Sequence, residues 1–153
     1  WEHGRFAGPY LRDTLMEMGA MVETLETSHT WTSLAGLHRA VGEAIEGSLA
    51  AQGTPGLVFC HLSHAYADGA SLYFTFIARA RHEAALEQWR EVKRAASEAI
   101  VAAGGTITHH HAVGRDHAPY MEPEIGALGI EALSAIKDRL DPAGIMNPGK
   151  LLP

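Results

Sequence analysis

Two apolar runs joined by a short polar turn constrain this chain more than any other feature. The runs cover 57–66 and 70–78, and the turn between them contains Asp68 and Gly69. An Asp-Gly pair between two alternating runs is typical of a β-hairpin, because both residues tolerate the backbone conformation of a tight turn. The middle of the chain is therefore expected to form two antiparallel strands.

The hairpin is flanked on each side by a helix and a further strand. Residues 20–26 alternate as a strand does, and the following segment places apolar residues at steps of three and four: Leu34, Leu37, Val41, Ile45 and Leu49. Beyond the hairpin, 82–103 has helical spacing, and 106–111 has the pattern of a short strand. This order predicts an α+β, ferredoxin-like βαββαβ fold, with an antiparallel sheet and helices on one face.

Two further helices are expected outside this core. Residues 9–16 are expected to form a helix with Pro9 in its first turn, and a last helix ends where Asp141 precedes Pro142. We therefore expect one domain over 1–153. It would consist of a leading helix in 1–19, the βαββαβ core in 20–111, and a loop, helix and C-terminal tail in 112–153.

Composition excludes several classes of protein. The 153 residues carry a net charge of -6 without a Lys/Arg cluster, which argues against a nucleic-acid partner. No apolar run approaches the roughly 18 residues of a membrane span. The single cysteine, Cys60, permits no internal disulfide and favours a reducing compartment. Because the sequence starts at Trp1 rather than Met, we expect it to be a piece of a longer chain.

Alternation along the second hairpin strand gives Tyr73 a special position. Phe74 and Phe76 fall on one face of this strand, and Tyr73 and Thr75 fall on the other. The larger apolar face should meet the helices, so Tyr73 should point from the uncovered face. That face requires a cover, either solvent or another domain. Tyr73 could serve as a proton donor or acceptor, or as an ordinary half-buried strand residue.

Three consecutive histidines are the strongest local signal for chemistry. On a strand, His109 and His111 would share a face and His110 would oppose them, so we expect no single metal ion held by all three. Imidazole titrates near neutrality, which suits acid/base work or cofactor contacts. A structural role at a strand end is the alternative. His61 and His64 lie three apart, on opposite faces of a strand, and indicate no metal site.

Other candidates carry weaker signals. Arg12 could hold a phosphate or carboxylate through its planar guanidinium, or pair locally with Asp13. Tyr66, near the hairpin turn, could line a cleft or cover a sheet edge. No glycine-rich phosphate loop and no nucleophile elbow is present, and Cys60 lies within an apolar run.

Several segments resemble known flavoenzyme families. The ending LDPAGIMNPGK at 140–150 resembles that of FAD-linked oxidases of the vanillyl-alcohol-oxidase superfamily. Four more segments resemble the alkyldihydroxyacetonephosphate synthases, and together the matches run through nearly the whole chain: PYLRD, VETLETSHTW, YADGASLYFTF and GGTITHHHAVG. The chain departs from these synthases at Ala112, where they carry glycine, and in its NPGK ending.

The resemblance implies the C-terminal cap or substrate domain of a larger FAD enzyme, whose FAD-binding domain is N-terminal and absent from these 153 residues. The implied activity exchanges the acyl group of acyl-dihydroxyacetone phosphate for a fatty alcohol in ether-lipid synthesis, without net redox change. One alternative is an FAD-linked oxidoreductase acting on a 2-hydroxy acid of the lactate or glycolate type. Another is a non-catalytic metal-binding or interaction module. By itself the fragment is expected to be inactive.

The resemblance also implies roles for individual residues. Tyr73, His109, His110 and His111 would be catalytic, Arg12 would bind the substrate phosphate, and His110, His111 and Asn147 would contact FAD. The implied partners are the FAD-binding domain of the same chain and a lipid-like or small hydroxy-acid substrate, with a homodimer left open. We expect a cytoplasmic location, with peripheral attachment to a membrane surface as an alternative.

Overall fold

Four helices and three strands form the part of the chain that the computed structural model describes, residues 7–152. In chain order they are α1 (Gly8–Glu17), β1 (Ala20–Thr30), α2 (Trp31–Ala51), β2 (Leu57–Ala65), β3 (Gly69–Arg79), α3 (Ala85–Ala102) and α4 (Met121–Leu140), with a short 3-10 turn at Ala118–Tyr120. The predicted α+β class and the order of the helices are confirmed. No helix within the described residues is long and apolar enough to cross a membrane.

The hairpin strand β3 lies at the centre of the sheet. The strand order is β1-β3-β2, and both pairings are antiparallel. Tyr73 of β3 is paired with Glu26 on one side and His61 on the other. Gly69 begins β3 where a β-carbon would collide with the carbonyl oxygen of His29, so a side chain cannot be accommodated at this crossing. The hairpin register thus places Tyr73 between two polar side chains.

One face of the sheet forms the hydrophobic core with α2 and α3. Phe74 and Phe76 are fully buried on this face, against apolar residues at helical spacing. Those residues are Leu34, Leu37, Val41, Ile45 and Leu49 from α2, and Val92, Ala96 and Ile100 from α3. The alternation in β3 therefore determines which face the helices cover.

The predicted fourth strand is the exception. Residues 106–111 run antiparallel beside β1, and the Thr106 and His109 amides donate to the carbonyls of Ser28 and Glu26. A regular ladder does not form, because side chains take the other polar groups: the Thr27 hydroxyl donates to the Thr106 carbonyl, and the Ile107 amide donates to Glu124. The segment occupies the place of a fourth strand with its backbone bent.

The C-terminal region is held by local interactions. Helix α4 is kinked at Gly126, whose φ of 74° is left-handed, a conformation that glycine adopts without steric cost. Asp141, just beyond the helix, accepts hydrogen bonds from the amides of Ile145 and Met146, both at 3.0 Å, and from Lys137. The hydrogen bond from Lys137 holds the pKa of Asp141 below its ordinary value. A folded turn thus begins the tail that contains Asn147.

Cys60 should be unreactive at neutral pH. The thiol packs against the core, and burial raises its pKa to about 11. Because only the thiolate attacks thiol reagents, about one thousandth of the thiol should be reactive at pH 8. We expect native protein to react with Ellman's reagent orders of magnitude more slowly than protein unfolded in guanidinium. Equal rates in the two states would contradict this placement.

Candidate active site

Tyr73 lies on the face of the sheet opposite to α2 and α3, as the alternation predicts. Its ring stacks on His61 at 5.2 Å between centroids, and the ring of His111 meets it edge-on at 5.8 Å. Its neighbour across the strand pair, Glu26, belongs to the same face. Two imidazole rings therefore contact the Tyr73 ring, and its strand partner on the same face is a glutamate.

Glu26 is the buried centre of this face. Its side chain has no exposed surface, and Ser63 donates a short hydrogen bond to its Oε1. The Ser63 hydroxyl is in turn 2.7 Å from the Ser71 hydroxyl. A β-bulge between Leu62 and Ala65 adds one residue to β2 and so changes the direction of its side chains. Ser63 and His64, within this bulge, both reach Glu26 on β1.

All three consecutive histidines converge on Glu26. Distances from ring nitrogens to the carboxylate are 3.5 Å for His109 Nδ1, 3.1 Å for His110 Nδ1 and 3.2 Å for His111 Nε2. The expectation that His110 faces away is wrong, because the segment bends at 109–111 instead of continuing as a strand. His64 adds a fourth imidazole, with Nδ1 at 3.4 Å from Oε1.

The electrostatics of the cluster favour an ionised carboxylate beside a neutral imidazole. Burial alone would raise the pKa of Glu26, but hydrogen bonds from Ser63 and Ser71, together with the charges that His110 and His111 carry when protonated, lower it. Burial lowers the pKa of His111, and the opposing charge of Glu26 does not offset that effect. His111 therefore favours the neutral form, which can accept a proton at one nitrogen and donate from the other.

A metal ion could also be held here. One ligand atom each from Glu26, His64, His109 and His110 lies within 4.8 Å of the others. The expectation that His64 has no part in such a group rested on its strand position, and the bulge in β2 alters that position. In the structure these side chains are within hydrogen-bond distance of neighbouring groups. His64 Nδ1 lies beside the Ser63 hydroxyl, and His109 Nδ1 lies beside His110 Nδ1.

Arg12 and Tyr73 line one cavity of about 450 Å³ between α1 and the open face of the sheet. Val22, Thr24 and Ile77 lie on its sheet side. The guanidinium itself is engaged by its neighbour, since Nη2 and Nε lie 2.9 Å and 3.2 Å from Oδ1 of Asp13. The local pairing considered from the sequence is thus present, and the same side chain borders the space beside Tyr73.

Asn147 lies outside this group. It is exposed in the C-terminal tail with a φ of 49°, and no hydrogen bond or ion pair within the described residues joins it to the histidine cluster. Tyr66 lies inside the group instead: its hydroxyl is 3.1 Å from His109 Nε2, and its carbonyl accepts from the Trp31 indole.

Sequence patterns missed Glu26, Ser63, Ser71 and His64. The available signal was a glutamate within strand 20–26, on the face opposite to Met21 and Leu25. Assigning it to the site requires the register with β3, which alternation alone does not specify.

Comparison with known proteins connects this geometry to a family. The family described as "FAD linked oxidases, C-terminal domain" matches residues 1–151. The chain belongs to this family. The resemblance drawn from its sequence motifs is thereby confirmed.

Individual members of the FAD-linked oxidase family are similar along the whole chain. The alkyldihydroxyacetonephosphate synthase of Trypanosoma brucei brucei is 37% identical over 153 residues, covering 100% of the chain and 25% of the relative. That of Caenorhabditis elegans is 40% identical over 150 residues, covering 96% and 25%. A solved structure of an alkyldihydroxyacetonephosphate synthase superimposes with a TM-score of 0.69 at 25% identity, over 97% of this chain and 24% of that one. The chain spans about a quarter of the length of these relatives.

Proposed function

We propose that this chain is the substrate domain of an FAD-dependent enzyme of the alkyldihydroxyacetonephosphate synthase type. The observation that carries the proposal is the convergence of Tyr73, the three histidines and Arg12 on one open face, although they come from distant parts of the sequence. The two relatives compared above, which are similar along nearly the whole chain, carry this name.

The open face suits contact with another domain that carries FAD. Leu57 and Phe59 are exposed on the same face as Tyr73, and such apolar side chains commonly mark docking surfaces. The imidazoles of His110 and His111, which also lie beside the buried Oε2 of Glu26, would contact the flavin. Asn147 would contact FAD from its exposed position in the C-terminal tail. When bound, FAD would supply a nucleophilic nitrogen, N5, without net oxidation or reduction.

This chain's residues would move the protons of the exchange. The ester C–O bond at C1 of the dihydroxyacetone unit breaks and an ether C–O bond to the alcohol forms. The fatty acid leaves with the ester oxygens, and the alcohol gives up its proton. Tyr73 can transfer a proton at its phenolic oxygen, and neutral His111 at its edge can accept one. Arg12 would hold the phosphate in the adjoining cavity, exchanging its contact with Asp13 for one with substrate.

Replacing Arg12 with lysine should raise KM for the phosphorylated substrate about tenfold, with a smaller change in kcat. Lysine keeps the charge but loses the planar fork that binds two phosphate oxygens, a difference on the order of 1.4 kcal/mol. Steady-state kinetics of the intact protein provide the measurement. Arg39→Lys, on the exposed face of α2, is the matched control and should leave KM unchanged. An unchanged KM in Arg12→Lys would remove Arg12 from the site.

The direct test of the function uses the intact protein. We expect palmitoyl-dihydroxyacetone phosphate and hexadecanol to yield an ether product together with palmitate, detected by mass spectrometry. Reduction of the flavin by lactate or glycolate, with no ether formed, would reject the synthase activity and support the oxidoreductase alternative.

The partner of this domain is the FAD-binding domain proposed for the same chain. The 153-residue chain alone should therefore be colourless and inactive. A purified fragment that is yellow and carries bound flavin would contradict this division of roles.

A further inference from the structure

We propose that Glu26 is a positioning residue, which fixes the tautomer and the orientation of His111 beside Tyr73. The inference rests on the proposed function only in assigning the proton step to Tyr73. It concerns a residue that no sequence motif singled out. Its basis is a continuous line of side chains from Glu26 through His111 to the Tyr73 ring.

The position of the carboxylate is itself strongly determined. Glu26 is paired with Tyr73 in the sheet, its side chain is completely buried, and the Ser63 hydroxyl is bonded to Oε1. The second oxygen, Oε2, has no aligned donor, yet His110 Nδ1 and His111 Nε2 lie within 3.2 Å of it. A buried carboxylate oxygen without a donor is costly, so a small rotation of either ring that directs an N–H at it is favoured.

The chemistry of the carboxylate then selects one tautomer. An ionised carboxylate only accepts hydrogen bonds, so the His111 nitrogen that faces it must carry the proton. The His111 nitrogen nearest to the carboxylate is Nε2, 3.2 Å from Oε2, so this nitrogen carries the proton and Nδ1 is the nitrogen left to accept one. A carboxylate that orients an imidazole in this way is the arrangement found where histidine acts as a base. Glu26 thereby prepares the imidazole that meets Tyr73.

Within residues 7–152, Glu26 is the only carboxylate in an ion-pair contact with His111. The other side chains that contact Glu26 or His111 carry a hydroxyl or an imidazole: Ser63, Ser71, His64, His109, His110 and Tyr73. None of these offers an acceptor-only oxygen to His111. Among the described residues, Glu26 alone can therefore fix the tautomer of His111.

Glu26→Gln is the decisive variant, because it keeps the shape while one carboxylate oxygen becomes an amide donor. We expect kcat of the intact protein to fall about 10- to 100-fold with little change in KM, in whichever reaction the protein catalyses. Glu26→Asp keeps the acceptor-only group and should recover at least part of this loss. Glu98→Gln, an exposed carboxylate on α3 paired with Arg94, is the control and should retain full activity.

Nitrogen NMR of the 15N-histidine-labelled intact protein separates positioning from packing. His111, assigned by comparison with His111→Gln, should show its proton on Nε2 in the wild type, and Glu26→Gln should change this pattern. An Nδ1-protonated His111 in the wild type would overturn the proposal even if every Glu26 variant failed to fold. So would equal losses in the Asp and Gln variants. If the tautomer is as expected but no ether forms, only the proposed function fails.

Discussion

Tyr73→Phe in the intact protein should lower the rate of ether formation about 10²- to 10⁴-fold, the usual contribution of a positioned proton-transfer group. The change removes one hydroxyl and keeps the ring that stacks on His61. Because Tyr73 is only half-buried and its hydroxyl has no hydrogen-bond partner within the described residues, the melting temperature should stay within about 2 °C. Steady-state kinetics and a thermal melt of the same preparation make the measurement.

Tyr10→Phe provides the matched control. Tyr10 is 75% exposed on α1, and the same loss of a hydroxyl there should leave both rate and stability unchanged. A Tyr73→Phe enzyme with wild-type activity would exclude the phenol from the chemistry. A loss of activity that follows a large fall in melting temperature would instead favour the role of an ordinary strand residue.

Phe76→Ala should have the largest effect on stability, about 3–5 kcal/mol, because it leaves a cavity in a close-packed core. Phe76 has no exposed surface and lies between the sheet and its two helices. This loss is a large part of the roughly 5–15 kcal/mol that is typical of a folded domain, so the unfolding midpoint should fall to a much lower urea concentration. Urea unfolding of this 153-residue chain, followed by circular dichroism, would measure it.

Phe59→Ala makes the same truncation on the opposite face. Phe59 is 52% exposed in β2, and its loss should cost this chain less than about 1 kcal/mol. The pair thus tests which side of the sheet is the core. Equal costs for the two substitutions, or a larger cost for Phe59, would contradict the assignment of the open face.

Local patterns were sufficient for most of the fold. The Asp68-Gly69 turn indicated the hairpin, and the helical spacing from Leu34 to Leu49 indicated α2, because each signal lies within a few residues of sequence. The fourth strand could not be excluded in the same way. Whether 106–111 forms a ladder depends on Thr27 and Glu124, which are distant in sequence and bond to its backbone.

The site was predicted only as far as single strands determine it. Alternation placed Tyr73 on the open face, and the prediction holds because β3 is regular there. The convergence of His109, His110 and His111 was missed, since alternation applies only to extended backbone and this segment bends. His64 was missed because a bulge redirects it, and Glu26 because its role depends on strand register.

The position of the flavin in a crystal structure of the intact protein tests the central claim most directly. We predict that the isoalloxazine ring lies against the open face of the sheet, with Tyr73 and the histidines around Glu26 in contact with the flavin or with substrate beside its N5 atom. A flavin bound elsewhere, with Tyr73 and this cluster facing only solvent, would contradict the account.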